Sequence, residues 1–140
     1  STLTISLKLW DSWIFIILHL APPPTGFISL IQRLIAAYKL WHEFLPHLPK
    51  TSRYTLGSKI DSLFIETTEM GFTASYLSKE LKRPLVQKAI TKLDLLKFFL
   101  QISWEIKALD NKKYITLSEK LEETGKMLGG WNKQLIKTST

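Results

Sequence analysis

Glu66 with Glu69, and Glu119 with Glu122 and Glu123, are the acidic side chains whose spacing suits chemistry on a helix. Residues three or four apart share one helical face, so each set can aim its carboxylates together. In a helical bundle such carboxylates can hold two iron or manganese ions, but only with a Glu-x-x-His pair on each of two helices. The three histidines are His19, His42 and His47, and none stands three residues after a glutamate. Metal catalysis is therefore not expected, and the acidic sets read as solvated faces beside lysines. The chain has no cysteine, which excludes disulfides and thiolate metal sites and suits a reducing compartment. Gly125 to Gly130 falls within a helical period and forms no Gly-x-x-x-x-Gly-Lys-Ser/Thr phosphate loop. A Ser-His-Asp triad would need arbitrary partners. The sequence predicts no catalytic residue, no metal and no cofactor.

The remaining candidates are cations. Net charge is +7, and all of it lies beyond residue 26, because residues 1–26 hold only Lys8 and Asp11. Such a balance favours anionic partners, either nucleic acid or a membrane surface. Lys79, Lys82, Arg83, Lys88 and Lys92 cluster where a second helix gives way to a third. Lys126, Lys133 and Lys137 line a fourth helix, with Lys112 and Lys113 at its start. These, with Lys97, are the candidate phosphate contacts, and no base-reading motif accompanies them. The membrane alternative rests on Trp10 to Leu20, whose apolar core is too short to span a bilayer and lacks a lysine-rich polar face. Only Lys8 precedes that core and no clear small-residue cleavage site follows it, so it makes a poor signal peptide. No membrane partner is expected.

Residues 1–26 read as an atypical N-terminal extension ending in Pro22, Pro23 and Pro24, and residues 27–140 as one domain. Beyond the prolines the apolar period becomes helical. Phe27, Ile31, Leu34, Tyr38, Trp41 and Leu45 form a first stripe, ended by Pro46 and Pro49. Leu56, Ile60, Leu63, Thr67, Met70 and Ala74 form a second, with Thr51 and Ser52 as available caps. Val86, Ala89, Leu93, Leu96 and Leu100 form a third, with Pro84 in its first turn. Tyr114, Leu117, Leu121, Thr124, Leu128, Trp131 and Leu135 form a fourth, capped by Asp110 or Asn111. Alternating steps of three and four with short connections predict an all-α, antiparallel up-down four-helix bundle.

Two features exceed what a lone bundle needs. The third helix adds Leu85, Leu95, Phe98, Phe99, Ile102 and Ile106 outside its stripe. An apolar arc of that width marks an interface, and Leu95, Phe98, Phe99, Ile102 and Ile106 are the expected contacts between copies of the chain. Gly125, Gly129 and Gly130 interrupt the fourth helix, each at a cost of about 1 kcal/mol relative to alanine. Gly125 and Gly129 stack on one face, which predicts close approach of another backbone, with Trp131 filling the space beside it.

Three segments carry a family resemblance. Ser52-Arg53-Tyr54-Thr55-Leu56-Gly57-Ser58-Lys59-Ile60, Lys92-Leu93-Asp94-Leu95-Leu96-Lys97-Phe98-Phe99-Leu100 and Thr124-Gly125-Lys126-Met127-Leu128-Gly129-Gly130-Trp131 occur in that order. Together they resemble the Avd family, the accessory variability determinants of diversity-generating retroelements, over about residues 28–137. The resemblance implies a non-catalytic bundle that assembles into a ring-like homopentameric barrel in the cytoplasm of a bacterial, archaeal or phage-bearing cell. It implies a reverse transcriptase as partner, RNA and DNA binding, and support of mutagenic retrohoming. The family commonly carries arginines where this chain has Lys97 and Gln101. A lysine there keeps the charge without bidentate phosphate geometry, and a glutamine loses both. The bundle proteins of 23S ribosomal RNA intervening sequences are similar in fold. Their Ala-Val-Ser-Ile-Pro-Ser-Asn-Ile-Ala-Glu-Gly type run has no match at Ser62 to Glu69.

Overall fold

The computed structural model describes residues 25–138. Within them lie α1 (Thr25–Phe44), α2 (Ser58–Ala74), α3 (Lys79–Glu105) and α4 (Asn111–Thr138), and no strand occurs among the described residues. Each helix runs back along its predecessor, and α4 also packs on α1, closing a square bundle in which α1 lies diagonal to α3. The expectation of an extension before residue 27 lies, for residues 1–24, outside the described residues; α1 starts at Thr25.

The core follows the predicted stripes closely in α3 and α4. Val86, Ala89, Leu93, Leu96 and Leu100 are all buried, as are Leu117, Leu121, Thr124, Leu128 and Leu135. Each large aliphatic side chain removed from water contributes about 1.5–3 kcal/mol. The buried hydroxyls of Thr67 and Thr124 donate to the carbonyls of Leu63 (2.7 Å) and Lys120 (2.9 Å), so neither leaves an unpaired polar group inside. In α2, Ile60, Leu63, Thr67 and Ala74 are buried with Phe64 and Gly71 added, while Leu56 and Met70 are half-buried.

α1 departs from expectation. Its buried residues are Leu30, Leu34, Ala37 and Trp41, whereas Ile31, Tyr38 and Leu45 are only half-buried. Two stripes of alternating three- and four-residue steps pass through Leu34 and Trp41, and the one through Ala37 won. A methyl at that position faces the centre, while the larger Ile31 and Tyr38 turn toward α2. Ile31 can do so because Gly71 has no side chain: a Cβ there would stand 3.3 Å from Ile31 Cδ1. Tyr38 shares the boundary with Trp41 and Asp61. Trp41 Nε1 donates to Asp61 Oδ1 at 3.3 Å, and burial, a hydrogen bond to Asp61 and its charge push the Tyr38 phenol above its ordinary value.

The junction between α1 and α2 also differs. A helical turn at Lys50–Ser52 already precedes α2, so Thr51 and Ser52 are inside it rather than capping it, and Pro49 occupies the cap position. A π turn, Arg53–Gly57, then joins that turn to α2. Arg53 reaches back to donate to the carbonyls of Pro46 (2.7 Å) and Leu48 (3.0 Å), pinning the connection. Leu45 lies against Gly57, where a Cβ would come within 2.9 Å of its Cδ1. α3 begins at Lys79, which places Pro84 in its second turn rather than its first. The position is exposed, so the carbonyl left without its N–H partner can be solvated. Asp110 does cap α4, accepting from the Lys113 N–H at 2.9 Å.

Candidate nucleic-acid interface

Antiparallel packing sets the start of α3 beside the end of α4, and this gathers the basic residues. Lys82 places its ammonium 5.6 Å from the centre of the Trp131 ring, which fixes that alignment. Lys79, Lys82 and Arg83 on α3 therefore share one end of the bundle with Lys133 and Lys137 on α4, although 50 residues separate Arg83 from Lys133. Lys79, Lys133 and Lys137 are exposed, and Lys82 and Arg83 are half-buried. Burial, then repulsion from Lys79, pulls the Lys82 ammonium below the ordinary lysine range. A cation held under such strain is stabilised by any phosphate that approaches it. Lys88 and Lys126 are exposed further along the same two helices.

Lys92 and Lys97 behave differently. Lys92 turns to α2 and meets Glu66 at 3.0 Å, and Lys97 turns to α4 and meets Glu122 at 3.1 Å. One carboxylate of each acidic set, Glu66 and Glu122, thus pairs with a lysine, and Glu123 pairs with Arg33 of α1. Half-exposed ion pairs of this kind are worth only about 0–1 kcal/mol. Among the described residues no group of three His, Asp or Glu side chains is placed to hold a metal.

The glycine expectation is corrected in part. At Gly125 a Cβ would stand 3.0 Å from Lys97 Nζ and 3.6 Å from Leu93 Cδ2, so side chains of α3 lie against it rather than the expected backbone. It is the absence of a side chain that lets Lys97 cross to Glu122. At Gly129 and Gly130 a Cβ would meet nothing within 4 Å, so close packing inside the bundle does not explain them. Trp131 packs against the core from its rim and carries Lys82 on its ring.

The apolar surplus of α3 also divides. Leu95, Phe98 and Ile106 are exposed, and Phe98 at 54% is among the most open apolar side chains of the molecule. Ile102 is half-buried, and Phe99, edge-on to Phe98 at 5.7 Å, packs against the core instead of standing outside it. Ile106 caps the helix rather than continuing its stripe. Residues 28–135 match the family model described as bAvd-like. The chain belongs to that family. Comparison with curated proteins finds no match.

In this bAvd-like chain the opposite end of the bundle holds residues that sequence reasoning passed over. Trp104, at the end of α3, stacks on Tyr114, at the start of α4, with Lys107 between them in the turn. Of this group the sequence singles out Lys112 and Lys113 as a charged pair opening a helix and Tyr114 as the first residue of its apolar stripe, but neither Trp104 nor Lys107. The missed signal is an aromatic residue on each side of a turn rich in lysine. No helix among the described residues of the bAvd-like chain is long and apolar enough to cross a membrane.

Proposed function

We propose that this bAvd-like protein is the non-catalytic accessory subunit of a diversity-generating retroelement. It works in the cytoplasm, binding the reverse transcriptase and the template RNA or its DNA copy to support mutagenic retrohoming. The observation that carries this reading is the family match over residues 28–135, which spans the whole bundle. The end cluster of Lys79, Lys82, Arg83, Lys133 and Lys137 supports it as a surface for phosphates.

The proposed assembly is a homopentameric ring. Exposed apolar residues occur on every helix, among them Ile28 and Ile35 of α1, Ile65 and Phe72 of α2, Leu95 and Phe98 of α3 and Ile115 of α4. Two different faces that meet head to tail generate a ring, whereas a single self-complementary face would give a dimer. Gly129 and Gly130 are open within one chain, which leaves room for a neighbouring subunit to approach α4 closely.

The test is co-purification with a reverse transcriptase of a diversity-generating retroelement, together with light scattering of the protein alone. A particle of about five chain masses that elutes with the polymerase is expected. A monomer at micromolar concentration, or a polymerase that elutes alone, overturns the reading.

A further inference from the structure

The turn between α3 and α4 carries an ordered pair of rings that core packing does not require. Trp104 and Tyr114 stack with centroids 5.0 Å apart and planes 11° from parallel. Trp104 Nε1 donates to Asn111 Oδ1 at 2.5 Å, which fixes the rotation of the indole as well as its tilt. Tyr114 rests against the core, whereas Trp104 lies outside it and is 38% exposed. Trp104 is therefore the outer ring of a two-ring stack.

Three lysines belong to the same turn and the start of α4. Lys107 and Lys112 are exposed, and Lys113 is half-buried with its ammonium 5.4 Å from the centre of the Phe44 ring. Lys107 has φ 63°, a left-handed backbone that costs a non-glycine residue about 1–3 kcal/mol. Its N–H bonds the Trp104 carbonyl at 3.0 Å, and the N–H groups of Ala108 and Leu109 both reach the Ser103 carbonyl. A glycine would make this reversal more easily, yet the position holds a cation three residues from the exposed indole. Of the nearby carboxylates, Glu105 accepts from Gln101 at 3.1 Å. Asp110 is occupied as the α4 cap and by Lys113 at 3.8 Å.

We propose that Trp104 is a stacking platform for an unpaired nucleobase, with Lys107 and Lys112 meeting the flanking phosphates of a single strand. Stacking on an indole needs a base free of its own stack, which a duplex does not offer, and it tolerates any base because each has a π-face. The inference rests on the nucleic-acid part of the proposed function and adds to it a preference for single strands. A peptide aromatic would also fit the ring, but it gives the lysines nothing to neutralise.

The test compares a fluorescent oligouridylate with a blunt RNA duplex of equal length, each titrated with the full-length protein. Trp104→Ala should weaken oligouridylate binding by roughly tenfold and leave the duplex nearly unaffected, while Trp104→Phe keeps most of the affinity. Lys107→Gln with Lys112→Gln should weaken single-strand binding and lower its salt slope by about 0.7 per lost contact. Parent-like thermal melts of the Phe and Gln variants keep the comparison sound if the Ala variant folds poorly. Unchanged oligouridylate affinity in Trp104→Ala, or an equal loss on the duplex, overturns the platform alone. Loss of reverse transcriptase capture with RNA binding intact overturns it in favour of a protein contact. Failure of the parent protein to bind either probe at low salt defeats the nucleic-acid reading from which the platform starts.

Discussion

Lys82 is a side chain whose charge works against stability and, in the proposed function, toward binding. Its ammonium is desolvated beside Trp131 and repelled by Lys79, so the folded chain holds that proton less tightly than the unfolded one. The resulting penalty exists while the lysine is charged and disappears as pH rises through its lowered pKa. Lys82→Met should therefore melt slightly higher than the parent at neutral pH, and the difference should shrink toward alkaline pH. The same variant should lose about one phosphate contact, seen as a salt slope for RNA binding reduced by about 0.7–0.9. A variant that melts lower at neutral pH would show that the cation–π contact outweighs desolvation. The charge of Lys82 was legible in the sequence, but its strain was not. Nor were the turns of Lys92 to Glu66 and of Lys97 to Glu122, because both pairs exist only once helices are laid side by side.

Among the helices, legibility tracked how many registers the sequence allows. α3 and α4 each carry one stripe of large aliphatic residues, whose buried positions were foreseeable, although buried Ser103 was not, and Tyr114 and Trp131 are only half-buried. α1 offers two stripes through Leu34 and Trp41, and the choice between them depends on Gly71 of another helix. The π turn at Arg53–Gly57 left no sign of its own, since Arg-Tyr-Thr-Leu-Gly suits an ordinary helix equally well. Its anchor is Arg53, whose guanidinium holds two loop carbonyls. Arg53→Ala should cost about 1–3 kcal/mol, and Arg53→Lys should recover part of it, because one nitrogen, Nη2, serves both acceptors and an ammonium also carries several N–H donors. Asp110→Ala, which removes the α4 cap, should cost about 1 kcal/mol. Urea unfolding of the three variants would measure these losses, and a parent-like Arg53→Ala would remove the anchor role.

For the proposed assembly, the outward apolar residues would separate folding from association. Phe98 contributes little to the core of one chain, so Phe98→Glu should leave helicity and the melt of the monomer intact while dissociating the oligomer. Gly129→Leu meets no neighbour within the bundle and should act in the same way, whereas Gly129→Ala should stabilise the chain by up to about 1 kcal/mol. Light scattering beside circular dichroism distinguishes the two effects. A Gly129→Leu protein that stays fully assembled would clear that glycine of any role between subunits. The sequence indicated an interface on α3, but it could not say that Phe99 packs inward. That depends on which flank of α3 faces α2.

Because α4 returns along α1, Thr25 and Thr138 come to the same end of the bundle, the end opposite Trp104. The order in which the helices are connected is thus separable from the way they pack. A circular permutant that joins residue 138 to residue 25 through a flexible linker, and opens the chain at Leu77 in the α2–α3 turn, should fold to the same bundle. It would start at α3 and finish at α2, with every interhelical neighbour preserved. Far-ultraviolet circular dichroism and an unchanged RNA affinity would verify it, and a molten permutant would mean that the order of synthesis itself matters to this fold.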